Sequence, residues 1–197
     1  VEQFLLRAGD VVNLTAGYAD GAGRYIWQSL DPTTLAMFGG TSLPGVYQSL
    51  GIASASDGVF SGTSAATGTA IQTTRMWGFR GGYTHNWNPY WSSSIFGAYT
   101  GVSYNGTAKG IICAAVATVL TAGSTCNPDF NIAQIGTNTR WTPVKNLTFT
   151  GEVLYTQLDQ KYAGTAALPA VGTKPVAFYE LKDQSTWTFA VRAQRNW

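Results

Sequence analysis

Three arginines, Arg80, Arg140 and Arg192, and one carboxylate, Glu152, recur on the polar side of segments in which polar and apolar residues alternate. Fixed charges so placed can bias which ions enter a water-filled passage, or merely hydrate a wall and pair with one another. Covalent chemistry has little to work with. The single histidine, His85, shares parity with Trp87, which leaves a serine or cysteine triad without a well-placed base. Residues 78–83, reading G-F-R-G-G-Y, lack the Gly-Lys-Ser/Thr ending of a phosphate loop. Two cysteines and one histidine cannot assemble a zinc set, and nothing implies a metal or cofactor. Cys113 and Cys126 instead fit a disulfide within an exposed loop, formed in an oxidising compartment.

The elements that must position these charges are strands. In residues 185–197, Trp187, Phe189, Val191, Ala193 and Trp197 hold one parity, and Thr186, Thr188, Arg192, Gln194 and Asn196 the other. Trp187 and Trp197 are ten residues apart. A strand tilted by about 40° advances roughly 25 Å along a membrane normal over that span, the height of the apolar band on an outer-membrane barrel. Trp77 and Trp87 repeat the interval, with Arg80 on the opposite parity. Residues 132–141 set Gln134, Asn138 and Arg140 against Ala133, Ile135 and Trp141. Residues 147–157 set Thr148, Thr150, Glu152 and Thr156 against Leu147, Phe149, Val153 and Tyr155, with Leu154 an apolar exception on the polar side. The pattern predicts an aromatic girdle of Trp77, Trp87, Trp141, Trp187 and Trp197, and a water-facing set of Arg80, Gln134, Asn138, Arg140, Glu152, Arg192 and Gln194.

Residues 4–6 read as the tail of a further strand, 7–10 as a tight turn and 12–18 as a strand. The facing of residues 90–104 stays undecided, because Tyr90, Phe96, Ala98 and Val102 compete with Trp91, Ile95 and Tyr99. Long loops are expected near 19–72, 105–130 and 158–184, alternating with short turns. Two of those turns carry Trp-x-Pro, at Trp87-Asn88-Pro89 and Trp141-Thr142-Pro143.

Composition narrows the classes. Only 11% of the 197 residues are charged, well under the roughly 25% of an average soluble domain. The longest apolar run, residues 111–117, is far short of a membrane helix. A formal charge of +2 with no basic block gives nucleic acid no footprint. The opening residues lack the basic start of a signal peptide, so such a segment was removed or the chain is the C-terminal piece of a longer one. A soluble secreted β-sandwich and a small closed eight-stranded barrel of structural or adhesive role stay open on composition.

Residues 78–91 (GFRGGYTHNWNPYW), 126–149 (CNPDFNIAQIGTNTRWTPVKNLTF) and the ending AQRNW resemble the general outer-membrane porins of α-proteobacteria, of the rhizobial and Brucella type. The resemblance implies an all-β fold, an antiparallel transmembrane β-barrel of about sixteen strands, of which about seven C-terminal ones are present here. It implies a single domain over residues 1–197, a homotrimer in contact with outer-membrane lipid and lipopolysaccharide, and passive passage of ions and small hydrophilic solutes without enzymatic activity. In such porins the inward-folding loop that narrows the channel belongs to the N-terminal half, so the resemblance places it outside this chain.

Overall fold

Strict alternation over ten or more residues leaves extended structure as the way to give each face its own environment. In chain order the strands are β1 (Val11–Asp20), β2 (Thr34–Gly39), β3 (Gln48–Ser54), β4 (Gly58–Val59), β5 (Gln72–Thr73), β6 (Arg75–Asn88), β7 (Trp91–Ser103), β8 (Phe130–Val144), β9 (Leu147–Gln160), β10 (Gly164–Leu168), β11 (Ala177–Leu181) and β12 (Gln184–Arg195). Among the described residues a 3-10 turn at Gly23–Tyr25 and one α-helix, α1 (Gly106–Val116), interrupt them. The computed structural model describes residues 9–26, 34–64, 66–170 and 172–197.

The six longest strands form one antiparallel sheet in the order β1-β6-β7-β8-β9-β12. Among the described residues this sheet is open, with β1 and β12 at its edges. The seventh strand expected at residues 4–6 lies outside the described residues, as do Arg7 and Ala8 of the expected turn. At one end the strands are joined by tight connections. The Asn88 carboxamide oxygen accepts from the backbone N–H groups of Tyr90 and Trp91, and Asn146 adopts φ 67°, which asparagine tolerates better than most residues. The second Trp-x-Pro is not itself the turn. Thr142 and Pro143 sit at a register shift inside β8, and the reversal falls after them. Proline has no N–H for the ladder, which is why it occupies an irregular position.

The stretches expected as long loops carry structure of their own. Residues 34–54 form the β2–β3 hairpin, and β3 then pairs in parallel with β11, giving a second sheet in the order β10-β11-β3-β2. These strands are short and rich in small residues, so their alternation is too weak to register in the sequence. Helix α1 lies in the stretch expected as a loop at 105–130. The Asn105 carboxamide caps it, accepting from the Ala108 N–H at 2.9 Å. The disulfide between Cys113 and Cys126, with Cα atoms 5.8 Å apart, and the Lys109–Asp129 ion pair fasten it to the segment before β8.

Buried apolar residues gather at the loop end of the principal sheet. Met76, Val102, Phe130, Ile132 and Leu158 pack there with Met37 and Ala53 of the hairpin. Tyr104, just beyond β7 and 6% exposed, donates to the Ser54 carbonyl. Burial pushes its hydroxyl up from 10.0 to about 12. The unfolded chain therefore releases this proton at a lower pH than the folded one, so Tyr104's contribution is complete below pH 10.0 and is lost as pH rises through about 12. Tyr104→Phe should flatten that part of the alkaline stability profile, measured as urea midpoints at successive pH values.

Candidate pore-lining face

Directly opposed residues in an antiparallel pair share a face, so the register assigns the residues of the principal sheet outside the two shifts at Asn86/Asn88 and Trp141/Val144. One row runs Thr15, Arg80, Ala98, Gln134, Thr156, Thr186. Beyond a row of Gly82, Phe96, Gly136, Leu154 and Thr188, a further one runs Thr84, Ser94, Asn138, Glu152, Ala190, and the one after it Ser92, Arg140, Thr150, Arg192. Gln194 follows opposite Thr148. All seven residues expected to face water, Arg80, Gln134, Asn138, Arg140, Glu152, Arg192 and Gln194, thus lie on a single face. Small hydroxyl and amide neighbours tie this face together: Thr84 to Ser94 at 2.8 Å and Gln134 to Thr156 at 3.0 Å.

Among the described residues Arg140 and Arg192 form no ion pair, and neither does Glu152. A cavity of about 400 Å³ opens between them, lined by Asn138, Arg140, Thr150, Glu152, Arg192 and Gln194. Three arginines against one glutamate leave the face positive. Such a surface attracts anions and holds water, and nothing in it resembles a nucleophile with its base.

Register also decides the stretch that the sequence left ambiguous. Trp91, Ile95 and Tyr99 lie on the face of Trp77 and Trp141, whereas Phe96, Ala98 and Val102 lie on the polar one. Phe96 is apolar yet turned inward because its ring covers Gly136, where an added Cβ would stand 2.7 Å from the ring. Leu154, the other exception, is opposite Gly136 on β9, beside that ring's site.

The reverse face is apolar and aromatic. At the turn end Trp91 stacks on Trp141 at 5.7 Å, and Trp141 on Phe149 at 5.6 Å. Trp87 packs edge-on against His85 at 4.3 Å. At the loop end Trp77 meets Tyr99, lying where Gly101 leaves room for the indole, and Trp187 meets Tyr155. Trp197 follows β12 and is fully exposed, with the Arg195 guanidinium 5.2 Å from its ring. Beside the five tryptophans expected as a girdle lie Phe149 and Tyr155, which the alternation already set on this side, and Trp91 and Tyr99, whose facing the register decides. His85 takes a structural place, its Nδ1 2.9 Å from the Asp10 carboxylate. Between the two belts Leu14, Phe79, Ile95, Ile135, Phe189 and Val191 are all exposed.

A sheet with exposed hydrocarbon between two aromatic belts on one side, and amides, hydroxyls and arginines on the other, is the wall of a transmembrane β-barrel. A family described as a porin subfamily matches residues 3–190, and the chain belongs to that family. Members of that family are outer-membrane β-barrels. No curated protein and no solved structure matches the chain.

The two faces respond differently to the same charge. Val191→Arg, on the apolar face near the middle of β12, should cost about 2–4 kcal/mol in urea unfolding from phospholipid vesicles. Ala190→Arg, beside Glu152, should leave the midpoint nearly unchanged.

Proposed function

We propose that this chain builds part of the wall of a water-filled diffusion channel in the bacterial outer membrane, passing ions and small hydrophilic solutes without a cofactor or a conformational cycle. The observation that carries this reading is the separation of Arg80, Gln134, Asn138, Arg140, Glu152, Arg192 and Gln194, on β6, β8, β9 and β12, from the aromatic belts on the other face of the same sheet. Hydrocarbon requires the first property of one face and an aqueous lumen the second.

The finer parts of the reading have their own supports. The unpaired edges of β1 and β12 need partners in lipid, since each free backbone group costs several kcal/mol there. Further strands of a barrel of about sixteen would supply them, with this chain its C-terminal portion, of the α-proteobacterial type that its motifs resemble. The aromatic and glycine-containing outer face suits lipid, lipopolysaccharide and the neighbouring copies of a homotrimer. A small plugged barrel of structural or adhesive role is disfavoured because threonine, serine, asparagine and glycine dominate the inward rows, leaving space where such a barrel needs bulk.

Ohmic steps in planar bilayers are the expected signature, and their absence from the full-length protein would overturn the channel. Arg140→Glu and Arg192→Glu should each move the reversal potential in a salt gradient toward cation preference. An unchanged potential in both variants would remove these side chains from the ion path.

A further inference from the structure

Beyond the aromatic belts the loop end holds a cavity of about 280 Å³, separate from the polar face of the wall. β3 and β4 frame one side of it with Ile52 and Val59, and α1 frames the other with Ile112 beside Pro128. Packed interiors normally close a gap of this size, because atoms that line it forfeit dispersion contacts. This one is held open by ties outside it. The Cys113–Cys126 disulfide and the Lys109–Asp129 ion pair fix α1 to the segment that carries Pro128. Across the cavity the Gly23 N–H donates to the Asp57 carboxylate at 2.7 Å and the Thr74 N–H to the Asp57 carbonyl at 3.1 Å, which pins the link between β3 and β4. The Tyr104 hydroxyl, donating to the Ser54 carbonyl, fastens the end of β3 to the wall.

The lining selects a chemistry. Phe60 stands at the rim, 63% exposed, and makes no ring contact among the described residues. Ser56 and Tyr162 line the cavity too, and among the described residues their hydroxyls have no hydrogen-bond partner. Burial, and then the Asp129 carboxylate, raises Tyr162 above the ordinary tyrosine value, so its hydroxyl stays a neutral donor. Among the described residues no lysine or arginine lines the space. A carboxylate ligand would therefore meet no cation there, and Asp129 would repel it. A sugar would set hydroxyls against Ile52, Val59 and Ile112, where several would go unpaired. The volume suits one substituted ring.

We propose that this cavity is a binding site for a small neutral aromatic solute bearing hydroxyl groups, a phenol or dihydroxybenzene, with its ring between Ile52, Val59 and Ile112 and its hydroxyls on Ser56 and Tyr162. Each part of such a solute answers one feature of the lining. The ring replaces water on apolar side chains, with Phe60 offering a second ring at the rim, and the hydroxyls complete the donors and acceptors that the fold leaves open. Because α1 and the β3–β4 link are already anchored, little ordering accompanies binding. The site lies outside the hydrocarbon span and stands whether or not the polar face conducts.

The test is calorimetric titration of the full-length protein in detergent micelles with resorcinol, blanked against micelles alone. One saturable site per chain is expected, with no saturable heat from glucose or benzoate. Tyr162→Phe removes a single oxygen and should weaken resorcinol binding roughly three- to tenfold. Ser56→Phe places a ring in the cavity and should abolish the heat. Resorcinol heat no greater than the micelle blank overturns the site, and glucose or benzoate binding as tightly as resorcinol overturns the ligand class. Unchanged affinity in Tyr162→Phe overturns the assignment even if Ser56→Phe does not fold. The titration draws no current, so its outcome is independent of the channel reading.

Discussion

The structure depends on a backbone constraint. In hydrocarbon no solvent completes a hydrogen bond, so a chain crossing it must pair every N–H and C=O within its own sheet. That pairing fixes register, and register then fixes which side chains share a face. A slip of one residue in β12 would carry Arg192 and Gln194 into lipid and bury Trp187 and Phe189 in water. The two faces are therefore mutually enforcing, and the position of each charge follows from the ladder more than from any contact of its own.

The constraint relaxes beyond the aromatic belts, and the fold changes character there. β3 pairs in parallel with β11, α1 is held by a cap and a disulfide, and buried glutamines replace the wall's exposed apolar rows. Water competes for every backbone group in this region, so short strands survive only by packing on one another. The wall's inward apolar residues supply the surface for that packing. The extramembrane segments and the barrel wall are consequently one packed unit, and the apolar residues at the loop end of the polar face are covered by it.

Residues 185–197 were legible as a strand with two distinct faces because ten-residue alternation is a strong signal, and the same signal put Arg80, Arg140 and Glu152 on one face. Residues 90–104 did not, since Phe96 is an apolar side chain on a polar face. Its placement depends on Gly136, directly opposite on the neighbouring strand β8 but far away in sequence, which no local pattern contains. The β2–β3 hairpin was hidden for a related reason: Gly39 and Gly51 serve a close approach to Gln184 that exists only after folding. Helix α1 left a usable trace. Asn105 before Thr107 and Ala108, followed by an alanine-containing apolar run, is a capped helix start, and it was overshadowed by the expectation of a loop.

The most direct test of a wall that separates two solvents is a cysteine scan through β12, reading fluorescence of an attached probe in vesicles. Positions 187, 189, 191 and 193 should be quenched by brominated lipid chains and positions 186, 188, 190, 192 and 194 by iodide from water, alternating with period two. Iodide quenching at Phe189 and Val191 equal to that at Thr188 and Arg192, with no effect of brominated lipid, would contradict it.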